Sequence, residues 1–139
     1  MRSTNAIRTL TLVVILAGSV SLIGCDEVAG CANTVIREFP SPSGDFKATL
    51  FQRDCGATTA FTSQVSVIPG DGAVSDSGNA FVADTGHGAA RAGAWGGPDV
   101  DVAWEGPNQL VISHAANARI LRREAKVLEI SIHYRPLGQ

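Results

Sequence analysis

The chain has 139 residues, with 11 basic and 13 acidic side chains, three histidines and three cysteines. That length suits one domain large enough to bury its own core. A formal charge of −2, scattered along the chain without a basic cluster, argues against a nucleic-acid partner.

In chain order, the N-terminus carries the three parts of a secretory leader. Arg2 and Arg8 form a positive start with no acidic residue before Asp26. Leu10 to Ile23 is uncharged and mostly apolar, yet shorter than the roughly 20 residues a helix needs to span a bilayer. The tetrapeptide Leu22-Ile23-Gly24-Cys25 follows directly. It resembles the lipobox of bacterial lipoproteins, in which a signal peptidase cuts before a lipidated cysteine. The resemblance implies that residues 1–24 are a signal peptide and that Cys25 is the lipidation site. It further implies that residues 25–34 form a tether and that residues 35–139 form a single periplasmic domain. The only added groups it implies are the diacylglycerol on Cys25 and an N-acyl chain such as palmitate, with no separate cofactor. One acyl chain binds a membrane only reversibly, at about 0.8 kcal/mol per buried CH₂, whereas two or three make a lasting anchor. The first partner is therefore the lipid bilayer. In enteric lipoproteins an acidic residue after the cysteine favours retention, so Asp26 and Glu27 favour the periplasmic face of the inner membrane over the outer membrane.

Removing 24 residues from 139 leaves 115. The leader holds two of the 11 basic side chains and none of the 13 acidic ones, so the remainder has a net charge near −4. With Cys25 assigned to lipid, Cys31 and Cys55 remain, and an exported pair in an oxidising compartment is expected to form a disulfide. Free buried thiols and a redox role are the alternatives. No C-x-x-C spacing supports the redox role, and no Cys/His cluster has zinc-ligand spacing.

The rest of the chain reads as strands. Val35 to Pro40 is extended, and Ser41-Pro42-Ser43-Gly44-Asp45 has turn chemistry. Phe46 to Arg53 alternates with period two. Thr62 to Ile68 is rich in β-formers and stops at Pro69-Gly70-Asp71-Gly72. Asn79 to Asp84 is a shorter run. Thr85 to Pro98 is rich in Gly and Ala and is expected to be a mobile loop without a core role. Asp99 to Ser113 reads as a hairpin turning at Glu105-Gly106-Pro107-Asn108. Ala115 to Arg123 is ambiguous, with composition favouring a short helix. In Lys126 to Tyr134, Leu128, Ile130, Ile132 and Tyr134 are expected to point inward. The sum is a mainly β chain of about seven strands, an antiparallel sandwich or small barrel, with one short helix as an open question.

Arg53-Asp54-Cys55-Gly56-Ala57-Thr58-Thr59, with Ser41-Pro42-Ser43-Gly44 and Ser63-Gln64-Val65-Ser66, resembles a group of small bacterial envelope proteins of unknown function, which implies a compact exported domain and no particular activity. A nucleophilic Cys55 would need a nearby base and an electropositive setting to favour its thiolate; the negative charge of Asp54 next door pushes the other way, and a disulfide would consume the thiol. His87, His114 and His133 lack metal-site spacing, although Asp84 or Asp99 would be the carboxylates to complete one. No G-x-S-x-G elbow or phosphate loop is present, so no catalytic or metal residue is assigned. Trp95, inside the glycine-rich segment, is the candidate partner contact, with folding back as a lid on the sheet as the alternative. The expectation is a non-enzymatic binding module, of inhibitor or immunity type among others, that engages an envelope protein or polymer. The alternative is a small periplasmic hydrolase with a site near residues 85–98, using His87 or His114.

Overall fold

The computed structural model describes residues 30–137. The lipobox-like tetrapeptide ending at Cys25, with Asp26 and Glu27, lies outside the described residues. Nine strands follow in order: β1 (Ala32–Pro40), β2 (Phe46–Asp54), β3 (Thr62–Pro69), β4 (Phe81–Asp84), β5 (Val100–Gly106), β6 (Gln109–His114), β7 (Arg119–Arg123), β8 (Lys126–Val127) and β9 (Ile130–Pro136). They form one sheet of order β1-β2-β3-β4-β7 and a second of order β5-β6-β9-β8. The two sheets pack as a β-sandwich, and no helix occurs among the described residues.

The core follows from the period-two alternation of the strands. Ala48 and Leu50 of β2, Val65 and Val67 of β3, and Phe81 and Ala83 of β4 come from the first sheet. Val100, Val102, Leu110, Ile112, Ile130 and Ile132 meet them from the second. Trp104 extends this alternation on β5 and donates its indole N–H to the Phe39 carbonyl of β1 at 2.8 Å, tying the two sheets at one edge. At the opposite edge, the Tyr134 hydroxyl bonds the Ala80 carbonyl at 3.1 Å and the Glu124 carbonyl at 2.7 Å. Burial pushes the Tyr134 phenol up to about 12, against the lowering influence of Arg123, whose guanidinium lies 4.5 Å from the ring centroid.

The expected strands from β1 to β6 are all present, with small shifts in their ends. β1 begins at Ala32, so residues 32–34, assigned above to the tether, already pair with Asp54, Arg53 and Gln52. The 41–45 turn closes as its chemistry suggests, with Gly44 N–H on the Ser41 carbonyl and φ of 79° at Gly44. Cys31 and Cys55 are joined, 24 positions apart in sequence, and clip the start of β1 to the end of β2.

Two expectations for the second half of the chain are corrected. Ala115 to Arg123 is not a helix: Asn117 takes a left-handed φ of 63°, and β7 pairs with β4 from Phe81↔Arg123 to Asp84↔Arg119. The unpaired edge of β4 and the burial of Ile120 against the core outweigh the helix propensity of Ala, Leu and Arg. Lys126 to Tyr134 is two strands, because the chain turns at Leu128-Glu129. Leu128 therefore points outward, 59% exposed, with φ of 54°, and not into the core. The sheets are otherwise antiparallel, as expected, and among the described residues β6 and β9 form the one parallel pair. Between them the chain crosses to the first sheet as β7 and returns as β8, supplying the long connection that a parallel pair requires.

The segment 85–98, expected to have no core role, folds back onto the sandwich. Ala90, Gly97 and Pro98 are buried, and Ala92 bridges to Pro98. Trp95 packs against the core, and its indole N–H donates to Ser63 Oγ at 2.8 Å. Ser63 Oγ in turn donates to the Pro98 carbonyl at 2.6 Å, while Gln52 Nε2 donates to the Trp95 carbonyl. Gly97 is required for this approach: a Cβ there would stand 2.8 Å from the Ser63 backbone nitrogen. The indole thus takes the lid position on the first sheet.

Candidate functional site

Strand register places four polar residues on one cross-sheet row of the first sheet. Arg53 pairs with Thr62, Thr62 with Asp84, and Asp84 with Arg119, across β2, β3, β4 and β7. Directly paired residues put their side chains on the same face, and this row points away from the core. The next row on that face runs Phe51, Gln64, Val82 and Arg122.

The connection between β3 and β4 lies back over part of this face, which leaves Phe51 fully buried although it does not face the sandwich core. Gln64 organises the cover: its Oε1 accepts from Ser77 Oγ at 3.1 Å and from the Gly78 N–H at 2.6 Å. Gly78 needs its missing side chain here, since a Cβ would meet the Phe81 carbonyl at 2.7 Å. Asp76 reaches Asn33 through its carbonyl at 3.1 Å and Arg53 through its carboxylate at 3.3 Å.

Beside this cover is a cleft of about 520 Å³. Its floor is Thr62, Gln64, Val82 and Asp84. One wall comes from Arg119 and Leu121 of β7, and the other from Arg53 and the β2–β3 connection at Cys55, Thr58, Thr59 and Ala60. His87 and Ser77 complete the lining.

Asp84 is the electrostatic centre of the cleft. Its side chain is 5% exposed, whereas that of Arg119 is 57% exposed. Arg119 Nε donates to both carboxylate oxygens at 3.0 Å, and Nη2 donates to Oδ2. The Gly86 N–H adds a bond of 2.8 Å to Oδ1. Hydrogen bonding from Arg119 holds the Asp84 carboxyl below its ordinary value, with further lowering from Gly86 and from the charges of Arg119 and His87, against the raising effect of burial. Asp84 in turn raises Arg119, which stays a cation.

The three histidines do not converge. His87 lines the cleft, in a left-handed φ of 60° between Gly86 and Gly88, which also have positive φ. His114 stacks on Phe81 with ring centroids 5.4 Å apart and lies 3.1 Å through Nδ1 from the Ala115 carbonyl. His133 is exposed on the outer face of β9. Of the two carboxylates considered for a metal site, Asp84 is engaged by Arg119, and Asp99 by Arg91 at 2.7 Å. Among the described residues no group of three His, Cys, Asp or Glu side chains has metal-binding geometry.

The Cys55 thiol is consumed by the disulfide, so Cys55 contributes a wall and not a nucleophile. Arg122 and Arg123 have structural partners: Arg122 donates to the Gly78 carbonyl at 2.9 Å, and Arg123 lies over Tyr134. Chemically, the cleft offers a fixed guanidinium, the Gln64 amide, hydroxyl groups whose hydrogens at Thr59, Thr62 and Ser77 are already donated within the fold, and an apolar wall. Sequence reasoning missed Arg119, Gln64 and Ser77, because no local motif links residues from separate strands. One usable signal was Asp84 itself: an acid ending an apolar strand needs a cation or backbone donors if it is buried.

No protein-family model matches the chain, and no curated protein or solved structure matches it.

Proposed function

We propose that this chain is a bacterial lipoprotein, anchored through Cys25, whose β-sandwich is a non-enzymatic binding module of the cell envelope. The observation that carries this reading is the Cys31–Cys55 disulfide. It is the bond expected of an exported chain in an oxidising compartment. It also leaves Cys25 as the remaining one of three cysteines, at the end of the lipobox-like tetrapeptide. The acidic pair Asp26-Glu27 favours the periplasmic face of the inner membrane. The outer-face cleft is the binding surface of the module, facing solvent beside the strand that follows the tether. Metabolic labelling with a clickable palmitate analogue tests the anchor: labelled wild-type protein and unlabelled Cys25→Ala protein are expected, and equal labelling would contradict it.

The hydrolase reading has less support. A catalytic base needs a partner that orients it and a nucleophile within hydrogen-bond reach. Asp84 is spent on Arg119 and Gly86, and among the described residues no hydroxyl or thiol bonds to the ring of His87.

A further inference from the structure

We infer that the outer-face cleft binds an organic monocarboxylate, seated on the open edge of the Arg119 guanidinium with its apolar portion against Leu121. The inference rests on the reading of the cleft as the binding surface of a tethered module, and it names the ligand chemistry.

Three observations converge on it. First, the Asp84–Arg119 pair is asymmetric. The carboxylate is 5% exposed and the guanidinium 57% exposed, so the pair turns its positive half towards solvent. Asp84 holds Arg119 by the Nε and Nη2 edge, and Nη1 makes no hydrogen bond among the described residues. A guanidinium fixed along one edge offers a neighbouring pair of N–H donors in a plane, the geometry that accepts a carboxylate through two parallel bonds.

Second, an amide donor is left over in the lining, although the hydroxyl hydrogens of Thr59, Thr62 and Ser77 are spent on the Gly56 carbonyl, the Arg53 carbonyl and Gln64 Oε1. Asp84 is the only carboxylate of the lining, and its oxygens are already engaged. Gln64 is 3% exposed, its carbonyl oxygen accepts two bonds, and its amide nitrogen donates one hydrogen to Thr62 Oγ1 at 2.8 Å. The second hydrogen of that nitrogen has no partner among the described residues. A buried donor without a partner costs free energy that a ligand acceptor would recover. An acceptor on the ligand would pair with this hydrogen and with the open edge of Arg119.

Third, the charge supply is small. Arg53 is committed to Asn33 at 2.8 Å and to Asp76 at 3.3 Å. Arg119 is left as the one fixed cation whose counter-ion is buried beneath it. A single guanidinium edge matches a monoanion and undersupplies a phosphate dianion. The opposite requirement comes from Leu121, which sits at the β7 irregularity, 54% exposed, on the cleft wall. It calls for an apolar or methyl-bearing group next to the carboxylate. His87, set by three successive left-handed residues, adds a polar group at the rim, and such conformations in non-glycine residues cluster at ligand clamps.

The shared chemistry has two sources in an envelope: the C-terminus of a short peptide and a uronic-acid sugar. The test titrates full-length protein, purified from membranes with its anchor, against N-acetyl-dialanine, its C-terminal amide, glucuronate and the methyl ester of glucuronate. The readout is the ¹⁵N resonance of Arg119 Nε. At least one carboxylate should produce a saturable shift, with its neutral counterpart at least tenfold weaker, and the arm that binds identifies the source. Leu121→Glu adds a competing carboxylate at an exposed position and should abolish the shift in a protein of unchanged melting temperature. Arg119→Lys, which lacks the reporting Nε and is followed through the backbone amide resonances of His87 and Leu121, should weaken binding at least tenfold. Absence of a saturable shift with both carboxylates, equal binding of a neutral counterpart, or unaltered binding by Leu121→Glu would overturn the inference. Palmitate labelling reads the anchor independently, so a labelled protein that fails these titrations removes the ligand class and leaves the tethered module standing.

Discussion

Asp84 and Arg119 face each other across β4 and β7 as an unequal pair, one carboxylate almost wholly buried and one guanidinium more than half exposed. Because Arg119 and Gly86 hold the carboxyl below its ordinary value of 3.8, folding favours the ionised form. The sign follows by linkage: the native state binds the proton less tightly than the unfolded chain. The contribution is therefore fully present above the unfolded value and is lost as pH falls through the lower native one. Asp84→Asn should cost about 2 kcal/mol at pH 7, within the range for charge-assisted hydrogen bonds. The difference between wild type and variant should shrink steadily below about pH 4. Denaturant titrations at a series of pH values measure it, and a difference independent of pH would show that the carboxylate charge is not what stabilises the row.

Trp95 fastens the 85–98 segment through Ser63. Removing the indole leaves a void against the core and frees Ser63 Oγ of its donor. Trp95→Ala should lower stability by about 2–3 kcal/mol, somewhat less than full truncation of a wholly buried aromatic. Urea midpoints at constant m-value provide the measurement, and a change below about 0.5 kcal/mol would place the indole outside the packed structure.

The glycine-rich composition of residues 85–98 suggested a loop without a core role, and here composition misled. The small residues allow close approach: Gly97 lets the chain lie on Ser63, so one large side chain and several absent ones make the contact together. The strands from β1 to β6 were legible because alternation and turn chemistry agreed, as at Ser41 to Phe46 and at Asp99 to Ser113. β7 was not, since Arg119-Ile120-Leu121 carries helix-forming residues and becomes a strand only because β4 has an edge to fill. The cleft was illegible for a related reason. Arg53, Thr62, Asp84 and Arg119 meet through the register of four strands, and register is not written in any one segment.

The disulfide clips the beginning of β1 to the end of β2. Closing a loop of this length should contribute about 3 kcal/mol through the unfolded chain. The double variant Cys31→Ser/Cys55→Ser should lose that amount and show faster amide exchange at Ala32 to Thr34 first. Unchanged protection there would mean that pairing with β2 holds the strand start by itself.

Leu128 occupies a left-handed turn position with its side chain mostly in solvent. A branched residue there bears a steric cost that glycine does not. Leu128→Gly should therefore stabilise the protein by about 0.5–1 kcal/mol despite losing a large apolar side chain. A thermal melt that shifts downward would show that Leu128 packs on a surface.

Anchorage through Cys25 would join the disulfide, the cysteine count and the position of the domain. It is tested most directly by intact and N-terminal peptide mass spectrometry of protein extracted from membranes of a bacterial host. The expected product is a mature chain that begins at Cys25, carries a diacylglyceryl thioether with or without an N-acyl group, and contains Cys31 and Cys55 without free thiols. A chain that retains residues 1–24, or one cleaved elsewhere with an unmodified Cys25 thiol, would contradict it.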